Sequence, residues 1–579
     1  MNGYGKYAKP YLSAFIIGPC LMILEVLGEI MLPKLMSLIV NYGVAGRDFG
    51  YILRTGLVMA GVAFLMALSG IGGAYFSAKA SICFTSDLRR ELFAKVQQFS
   101  FQNIDDFSTG SLVTRLTNDI QQVQMVMMMV LRLALRAPGM LIGALIMAFI
   151  MNYRLAMIIL VVIPVLGCVI AAILTTAYPR FGVMQTKLDQ LNSGIQEALV
   201  NVRVIKSFVR EDFEKERFRM ANEDLQNNSL RALRIVILTM PVMMLAMNVT
   251  TLAVVWYGGN LIIGGRMQVG DLTAFTTYIV QILMSLMMLS MVFLQSSRAM
   301  ASVKRINEVM RTEIQLTDRE SGQRDKRVTL GKVEFRKVSF RYGQKEGDEV
   351  LTDISFVAEP GQVVGIIGAT GSGKTSLVQL IPRLYDVTAG TVLVDDVDVR
   401  EYSLKNLRDG VGMVLQKNVL FSGTIEENLR WGKEAAKEQE LLSFAKAAQA
   451  DGFVRALPEG YETDLGQGGV NVSGGQKQRL CIARALLKQP KILILDDSTS
   501  AVDTATEAKI RECFRTTLKE TTKIIIAQRI GSVEEADMIL VLDEGRIIGR
   551  GRHEELLASC EAYQEIYYSQ RDREREVGA

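Results

Sequence analysis

The chain reads Gly368-Ala369-Thr370-Gly371-Ser372-Gly373-Lys374-Thr375 directly after the apolar run Val363–Ile367 and before a helix-like run. This octapeptide matches the pattern G-x-x-x-x-G-K-[ST], whose glycines let backbone N–H groups curl around phosphates at the start of a helix. In that pattern the lysine reaches the β- and γ-phosphates of a nucleotide, and the hydroxyl of Thr375 binds Mg²⁺. The residues predicted to contact the nucleotide here are Gly368, Thr370, Gly371, Ser372, Gly373, Lys374, Thr375 and Ser376.

A second candidate for binding the nucleotide and its metal ion stands at the end of the apolar run Lys491–Leu495. Asp496 follows this run directly, as in a strand whose terminal carboxylate holds the hydration shell of Mg²⁺. Further apolar runs predict two buried parallel strands and a hairpin, at Val363–Ile367, Lys523–Ala527 and Met538–Gly549. From about residue 328 onward, the sequence therefore predicts a soluble α/β domain.

Between these two motifs stands Val472-Ser473-Gly474-Gly475-Gln476, followed by Lys477-Gln478-Arg479. In this context it resembles the signature sequence of ATP-binding cassette (ABC) proteins. A serine and glycine amides at a helix start are able to bind a γ-phosphate. In that family, the signature of one cassette completes the ATP site of a second cassette. The resemblance therefore implies that Ser473, Gly474, Gly475 and Gln476 contact the ATP of a partner chain.

Other residues resemble further elements of the same family. Tyr342 resembles the aromatic residue that stacks on adenine, although a surface aromatic of a strand is the alternative for this residue taken alone. Gln416 resembles the glutamine that contacts Mg²⁺ and senses the membrane domain, and Ser500-Ala501-Val502-Asp503 resembles the D-loop. The resemblance implies ATP and Mg²⁺ as cofactors. Its implied metal ligands are Thr375, Gln416 and Asp496.

Three positions depart from the catalytic pattern of the family. Asp497 stands where the family has a glutamate that polarises the attacking water. One methylene less sets the carboxylate back by roughly 1.5 Å, and a misplacement of about 1 Å costs on the order of 100-fold in rate. Gln528 replaces a histidine and lacks its protonatable ring, and Gln467 replaces a glutamate common just before the signature. We therefore predict a hydrolytically slow site whose altered catalytic residues are Asp497 and Gln528.

The first half of the chain contains long stretches without Asp, Glu, Lys or Arg. A helix needs about 20 apolar residues to cross roughly 30 Å of hydrocarbon. Four uncharged stretches reach this length, at 55–78, 155–178, 235–265 and 272–297. Two weaker spans, at about 11–40 and 120–153, are interrupted by charges. We predict six transmembrane helices, of which the first is too long and too acidic for a cleaved signal peptide.

Basic residues concentrate in the two long segments between these spans, near 84–119 and 179–231. The joins near 41–52, 152–154 and 264–270 are short and hold only a basic residue or two each. The positive-inside bias therefore places the long segments, both termini and the α/β domain in the cytoplasm. This predicts a multi-pass protein of the cell (plasma or inner) membrane.

Six spans followed by one cassette resemble the half-transporter layout of exporter-type ABC proteins. We expect an α-helical membrane domain at 1–310, a linker at 311–327 and an α/β P-loop nucleotide-binding domain at 328–579. The resemblance implies ATP-driven efflux of an amphipathic or hydrophobic compound, drug-like or lipid-like. It also implies coupling helices near 101–110 and 208–218. Because the chain's own site is altered and its signature is intact, we expect a heterodimer with a different half-transporter that carries a complete catalytic site.

Polar residues inside membrane spans are candidates for a substrate path. These candidates are Glu25, Glu29, Arg132, Arg136 and Asn248. For the two arginines, the alternative is a place near lipid headgroups or a pairing with an acid.

The composition excludes several other classes of protein. Six cysteines without a CxxC pair rule out a disulfide framework or a zinc ribbon, and the single histidine rules out a Ser-His-Asp triad. The net charge of +4 is too balanced for bulk binding to nucleic acid. Three alternatives stay open: an importer of a metal chelate on the same fold, a homodimeric exporter, and a soluble or regulatory cassette protein. The six spans oppose a soluble role.

Overall fold

The computed structural model describes residues 4–318, 325–343, 349–497 and 502–577, and it divides into two units. The first unit holds Met1–Val96 with Gly110–Arg311, and the second holds Gln97–Thr109 with Thr312–Ala579. A short piece of the first half, Gln97–Thr109, therefore packs with the second unit. The boundaries 1–310, 311–327 and 328–579 stay predictions.

The first unit is built from α-helices. Their bounds are Gly5–Ala8, Leu12–Leu38, Phe49–Gln97, Thr109–Thr114, Ile120–Leu133, Arg136–Met151, Tyr153–Val200, Val202–Ser207, Glu211–Ile237, Thr239–Ile263 and Val269–Arg311. A 3-10 turn covers Lys9–Tyr11, and π-helical turns cover Ile39–Val44 and Arg115–Asp119.

Within the described part of the chain, six helical segments of this unit are long and apolar enough to cross a membrane. We call them spans one to six, and they run Gly5–Val44, Phe49–Gln97, Thr109–Met151, Tyr153–Val200, Glu211–Ile263 and Val269–Val292. They confirm the prediction of six membrane helices. Spans two and four have 49 and 48 residues. At a rise of about 1.5 Å per residue they exceed 70 Å, so they extend well beyond a bilayer core of roughly 30 Å.

Span three is interrupted at residues 134–135, between the helices Ile120–Leu133 and Arg136–Met151. Pro138 accounts for the interruption, because it lacks the N–H that would bond the carbonyl four residues earlier and its ring crowds that carbonyl. The interruption places Arg136 in the first turn of the second half of the span.

Span six packs closely against span one. Tyr278 is fully buried, and its hydroxyl donates to the backbone carbonyl of Ile30 at 2.8 Å. One turn further along, the side-chain amide of Gln281 donates to the backbone carbonyl of Glu29 at 3.0 Å. These hydrogen bonds satisfy polar groups away from water and fix the two helices against each other.

The second unit contains two sheets. Their strands are β1 Val333–Phe340, β2 Leu351–Ala358, β3 Val363–Gly368, β4 Ala389–Val394, β5 Val397–Asp398, β6 Val411–Val414, β7 Ile492–Asp496, β8 Thr522–Ile526, β9 Met538–Asp543 and β10 Arg546–Gly551. The larger sheet has the order β10-β9-β3-β8-β7-β6 and is parallel apart from β10, while the smaller antiparallel sheet has the order β2-β1-β4-β5. Strands β3, β7 and β8 and the β9–β10 hairpin confirm the elements predicted from the apolar runs.

Helices cover this α/β core. Their bounds are Phe101–Asp106, Lys374–Gln379, Leu404–Asp409, Ile425–Arg430, Glu438–Ala447, Asp451–Arg455, Gly474–Leu487, Thr504–Thr517, His553–Ser559 and Glu561–Val577. Short 3-10 turns lie at Gly460–Glu462, Gln467–Gly469 and Ile530–Ser532.

Three neighbouring parallel strands bring the predicted motifs to one edge of the larger sheet. Strand β8 lies between β3 and β7, with Asp496 of β7 opposite Ile526 of β8. The carboxyl ends of parallel strands meet at the same edge, where α/β proteins bind ligands. The phosphate loop after β3, Asp497 after β7 and Gln528 after β8 therefore lie at one edge.

Asp395, in the turn between β4 and β5, binds the backbone of residues 329–332 just before β1. Its buried carboxylate accepts hydrogen bonds from the backbone N–H groups of Thr329 (2.7 Å), Leu330 (3.0 Å), Gly331 (2.7 Å) and Lys332 (2.9 Å). One side chain thus satisfies four consecutive backbone donors.

The helix Phe101–Asp106 is capped by Ser100 and held by contacts inside the second unit. The side-chain amide of Asn103 donates to the carbonyl of Glu313 at 3.1 Å, and the hydroxyl of Tyr385 donates to Asp105 at 2.8 Å. These bonds explain why this piece of the first half packs with the cassette.

Candidate functional site

The phosphate loop has a backbone that only glycine tolerates at two points. Gly368 has φ +156°, and a Cβ there would clash with the carbonyl oxygen of Leu542. Gly373 has φ +93°, and its Cβ would lie 2.9 Å from the carbonyl oxygen of Val350. The loop can therefore curl closely only with these glycines, and Lys374 begins the helix Lys374–Gln379 directly after it.

Lys374 folds back over its own loop. Its ammonium donates to the carbonyl oxygens of Gly368 at 2.9 Å and Ala369 at 2.7 Å. Burial lowers the pKa of Lys374, while the neighbouring carboxylates of Asp496 and Asp497 raise it by a smaller amount. Its ammonium also lies 3.4 Å from the Ser372 hydroxyl, so its hydrogen-bond partners among the described residues are neutral oxygens. A half-buried cation with neutral partners is suited to exchange them for phosphate oxygens, which bind it through charge-assisted hydrogen bonds.

The Thr375 hydroxyl donates to the Asp496 carboxylate at 3.1 Å, which brings two predicted metal ligands together. Asp496 is 2% exposed, and burial raises the pKa of its carboxyl group. A hydroxyl and a carboxylate are hard oxygen donors, and Mg²⁺ binds to proteins through one or two such groups plus phosphates and water. The described residues contain no group of three His, Cys, Asp or Glu side chains that would form an all-protein metal cage. The pair therefore fits Mg²⁺ bound together with a nucleotide.

Asp497 is held in a left-handed conformation, with φ +48°. Its backbone N–H donates to the carbonyl of Ile526 at 3.1 Å, and its carboxylate accepts a hydrogen bond of 2.7 Å from the side-chain amide of Gln528. The pKa of Asp497 is raised, because the effect of burial is the largest. The positive charge of Lys374 and hydrogen bonds from Gln528 and Gln416 lower it by less. The two predicted catalytic residues are thus direct partners, and the predicted metal ligand Gln416 lies close enough to lower the pKa of the same carboxyl group.

Tyr342 lies beside the helix that follows the phosphate loop. Its hydroxyl is 2.8 Å from the Ser376 hydroxyl, and its ring meets the rings of Phe340 and Tyr385 edge to face. The side chain is 44% exposed. An aromatic ring that is fixed by neighbours and still partly exposed is suited to stack on a planar base.

The signature serine begins a helix at the surface of the second unit. Ser473 caps the helix Gly474–Leu487 through reciprocal hydrogen bonds with Gln476, and Ser473 and Gly474 are exposed. The backbone N–H groups of this helix start are therefore open to a ligand brought from outside. In the predicted D-loop, Ser500 and Ala501 lie outside the described residues, whereas Asp503 caps the helix Thr504–Thr517.

Sequence reasoning missed the role of Gln478. This residue is 1% exposed, and its side-chain amide donates to the backbone carbonyl of Asp497 at 3.3 Å. It therefore links the helix Gly474–Leu487 to the predicted catalytic residue of the same chain. A glutamine in a polar Lys-Gln-Arg run carries no local sign of burial, so only the packing reveals this contact.

In the first unit, three of the five candidate substrate-path residues form one cluster. Arg136 Nη1 lies 2.9 Å from Glu25 Oε1, and Nη2 lies 3.1 Å from Glu29 Oε2. Arg136 thus pairs with acids, as the alternative interpretation of the arginines allowed. Arg132 and Asn248 are exposed, and within the described residues neither bonds to this cluster.

Comparisons with known proteins cover nearly the whole chain. Residues 15–286 match the family model described as "ABC transporter transmembrane region", and residues 351–500 match the one described as "ABC transporter". An "Uncharacterized ABC transporter ATP-binding protein YfiB" of Bacillus subtilis is 42% identical, over 98% of this chain and 98% of that protein. An "ATP-dependent lipid A-core flippase" of Syntrophus aciditrophicus is 33% identical, over 84% of this chain and 80% of that protein. The solved structure of a bacterial Atm1-family ABC exporter with ATP bound superposes with a TM-score of 0.79 at 27% identity, over 96% of this chain and 98% of that chain.

Proposed function

The chain belongs to the ABC transporter family as an exporter-type half-transporter, and we propose that it moves an amphipathic or hydrophobic compound, drug-like or lipid-like, out of the cytoplasm. The observation that carries this proposal is the 3.1 Å contact between the Thr375 hydroxyl and Asp496, at the sheet edge that follows the phosphate loop. The same polypeptide carries six helices long enough to cross a membrane. The flippase named above acts on a lipid, and that printed activity supports an amphipathic substrate.

Each residue at the sheet edge has a distinct role in this proposal. Lys374 exchanges its carbonyl partners for the β- and γ-phosphates, and Tyr342 stacks on the adenine. Thr375 and Asp496 hold Mg²⁺, with Gln416 as a further ligand. The ion, when bound, neutralises charge on the transferred phosphoryl group. Asp497 is the acceptor that would orient the attacking water.

We propose that Asp497 performs that last role poorly. Its carboxylate is one methylene short of the glutamate position, and its Oδ2 already accepts the amide hydrogen of Gln528. A misplacement of about 1 Å costs on the order of 100-fold, and the amide cannot shuttle a proton. The site of this chain therefore binds ATP and hydrolyses it slowly.

The open N-terminus of the signature helix supports a partner with a complete catalytic site. In the family arrangement, Ser473 and the following amides close over the partner's ATP while the partner's signature closes over this one. A different half-transporter would supply the missing glutamate and histidine. ATP then persists at this chain's site and holds the cassettes together, while the partner's site turns over.

Two segments are proposed to couple the cassettes to the membrane helices. The first includes the helix Phe101–Asp106, which packs with the second unit. The second lies near 208–218, where Phe208 and Val209 are 73% and 81% exposed. Exposed apolar side chains at such a tip are typical of a surface that another chain covers. With both segments internal, the cassette is cytoplasmic and the transporter lies in the cell membrane.

The test compares the tagged chain purified alone with the assembly purified from its native membranes. We expect slow ATP hydrolysis by the chain alone, and fast hydrolysis by an assembly with a second, different half-transporter. Vigorous hydrolysis by the chain alone would instead establish the homodimeric alternative.

Direction of transport is tested with inside-out vesicles that contain the assembly. Export predicts ATP-dependent accumulation of a fluorescent phospholipid or dye inside these vesicles, with ADP as the control nucleotide. Accumulation only in right-side-out vesicles supplied internally with ATP would favour the importer.

A further inference from the structure

The cluster of Glu25, Glu29 and Arg136 carries an unbalanced charge. One guanidinium bridges two carboxylates that stand a single helical turn apart on span one. With all three groups ionised, the cluster has one net negative charge. Charge is costly inside a bilayer unless it is neutralised, so two carboxylates that share one guanidinium there indicate a functional role.

The cluster lies at the depth of the hydrocarbon. In the predicted topology Met151 is the outer end of span three. Arg136 lies about 22 Å from Met151 along the helix axis, at a rise of about 1.5 Å per residue. Glu29 precedes Tyr42, near the outer end of span one, by about 20 Å on the same basis. A bilayer core is roughly 30 Å thick. The ion pairs are therefore not a headgroup contact.

Hydrogen-bond acceptors outnumber donors around the cluster. Glu25 Oε2 is buried and accepts no hydrogen bond within the described residues. Gln281 of span six donates its amide to the backbone of Glu29, and its own Oε1 is likewise buried without a donor. Both unsatisfied atoms are acceptors, and leaving a buried acceptor unsatisfied costs about 1–3 kcal/mol. A ligand that fits this place must therefore bring N–H or O–H donors.

The surroundings of the cluster are apolar and in part open. Arg136 and Glu29 keep 23% and 28% of their side chains exposed. Val26, Ile30 and Met140 beside them belong to the buried apolar core of the first unit. An alkyl or aromatic body suits such apolar surroundings, while the charged cluster takes the polar end.

We propose that this cluster binds the protonated amino group of an amphipathic substrate. An ammonium group supplies the missing positive charge and up to three N–H donors for the unsatisfied oxygens. An anionic headgroup would add to the existing negative charge. This inference rests on the proposed transport function and specifies its substrate class as cationic amphiphiles with N–H donors.

The test measures saturable binding of radiolabelled dodecylammonium to the purified native assembly by equilibrium dialysis, below the critical micelle concentration. Dodecyltrimethylammonium carries the charge without N–H donors, and dodecanol carries neither. We expect dodecylammonium to bind more tightly than dodecyltrimethylammonium, and both to bind more tightly than dodecanol. Glu25→Gln should weaken dodecylammonium binding by at least about tenfold, since a charge-assisted hydrogen bond is lost.

Glu25→Gln leaves the neutral pair of Arg136 and Glu29, so folding should be preserved, and unchanged azido-ATP labelling verifies this. Glu223→Gln is the matched control, because Glu223 is exposed and, within the described residues, forms its ion pair with Arg219 outside the apolar stretches. Dodecylammonium that binds no more tightly than dodecanol, or equally well to Glu25→Gln, would overturn the proposal. Binding of dodecylammonium that depends on Glu25, without ATP-driven transport of the compound, would support the cation site and refute the export function. ATP-driven export of dodecylammonium that is unaffected by Glu25→Gln would support the transport function and refute the cation site.

Discussion

At the scale of single residues, the proposed function assigns Asp497 and Ser473 of this one chain to two different ATP sites. Asp497 belongs to the chain's own site, where Gln528 holds its carboxylate. Ser473 stands exposed at the start of the signature helix, where we propose that it completes the site of a partner. Substitutions at these two positions should therefore have unequal effects on turnover.

We expect Ser473→Ala to lower ATP hydrolysis by the native assembly by about 100-fold, the cost of losing one preorganised donor at a transition state. Asp497→Ala should change it by less than about twofold, because its site contributes little turnover. The control is Ser403→Ala, which removes a similar helix cap away from the sheet edge. Equal losses at Ser473 and Asp497 would contradict the unequal roles.

Lys374→Ala should reduce azido-ATP labelling of this chain by more than about tenfold, because the loop loses the one positively charged side chain that bonds the β- and γ-phosphates. Photolabelling followed by separation of the subunits measures this. Lys433→Ala, which removes an exposed lysine paired with Glu440, should label normally. Undiminished labelling of Lys374→Ala would disprove the assigned role.

Asp395→Ala should lower the stability of the cassette by about 3 kcal/mol, because four backbone N–H groups lose their acceptor and one of them is buried. The apparent unfolding temperature of the purified chain is the measurement. Asp396→Ala is the control, since the Asp396 side chain is 66% exposed and, among the described residues, forms its ion pair with Lys332. A surface ion pair of this kind contributes about 0–1 kcal/mol. Similar losses from both variants would show that the buried acceptor has no special role.

At the scale of elements, Tyr385 connects the helix Phe101–Asp106 to the nucleotide-binding edge. Its hydroxyl donates to Asp105, and its ring meets Tyr342 edge to face with centroids 5.1 Å apart. Burial and the bond to Asp105 raise the pKa of Tyr385, so the hydroxyl stays a neutral donor at any working pH. We therefore expect stacking of a base on Tyr342 to affect this helix through the side chain of Tyr385.

Tyr385→Phe should keep the ring contacts and remove the bond to Asp105. We expect ATP to slow amide hydrogen exchange in Phe101–Asp106 of the wild-type chain, and this protection to fall several-fold, by about 1 kcal/mol, in the variant. Asp106→Asn, on the neighbouring exposed side chain, is the control. Protection that is unchanged in Tyr385→Phe would exclude the hydroxyl as the link.

At the scale of the whole molecule, the distribution of basic residues predicts on which side of the membrane each connecting segment lies. In a cysteine-free background, Gly265→Cys should react with a membrane-impermeant maleimide in intact cells, and Asp212→Cys should react only after lysis. Both positions are exposed, so the comparison measures the side of the membrane and not burial. Labelling of Asp212→Cys in intact cells would reverse the assignment.

The sequence determined the elements of this protein, because their patterns are local. The phosphate loop needs glycines within eight consecutive residues, a buried strand needs one short apolar run, and a membrane span needs one long uncharged stretch. These signals predicted six spans, strands β3, β7 and β8, the β9–β10 hairpin and the motifs that meet at one sheet edge.

Only the tertiary structure decided which distant side chains are partners. Three hydrogen-bonded contacts join residues that are far apart in the sequence or carry no pattern of their own. They are the bond from Gln528 to Asp497, the bond from Gln478 to the backbone of Asp497, and the bonds from backbone N–H groups to Asp395. In the same way, five polar residues in the spans looked equivalent, yet helix packing joins Arg136 to two glutamates and leaves Arg132 and Asn248 outside. Such contacts depend on how whole helices and strands are oriented against each other, because side-chain pairing acts only over a few ångströms and sequence distance does not measure it.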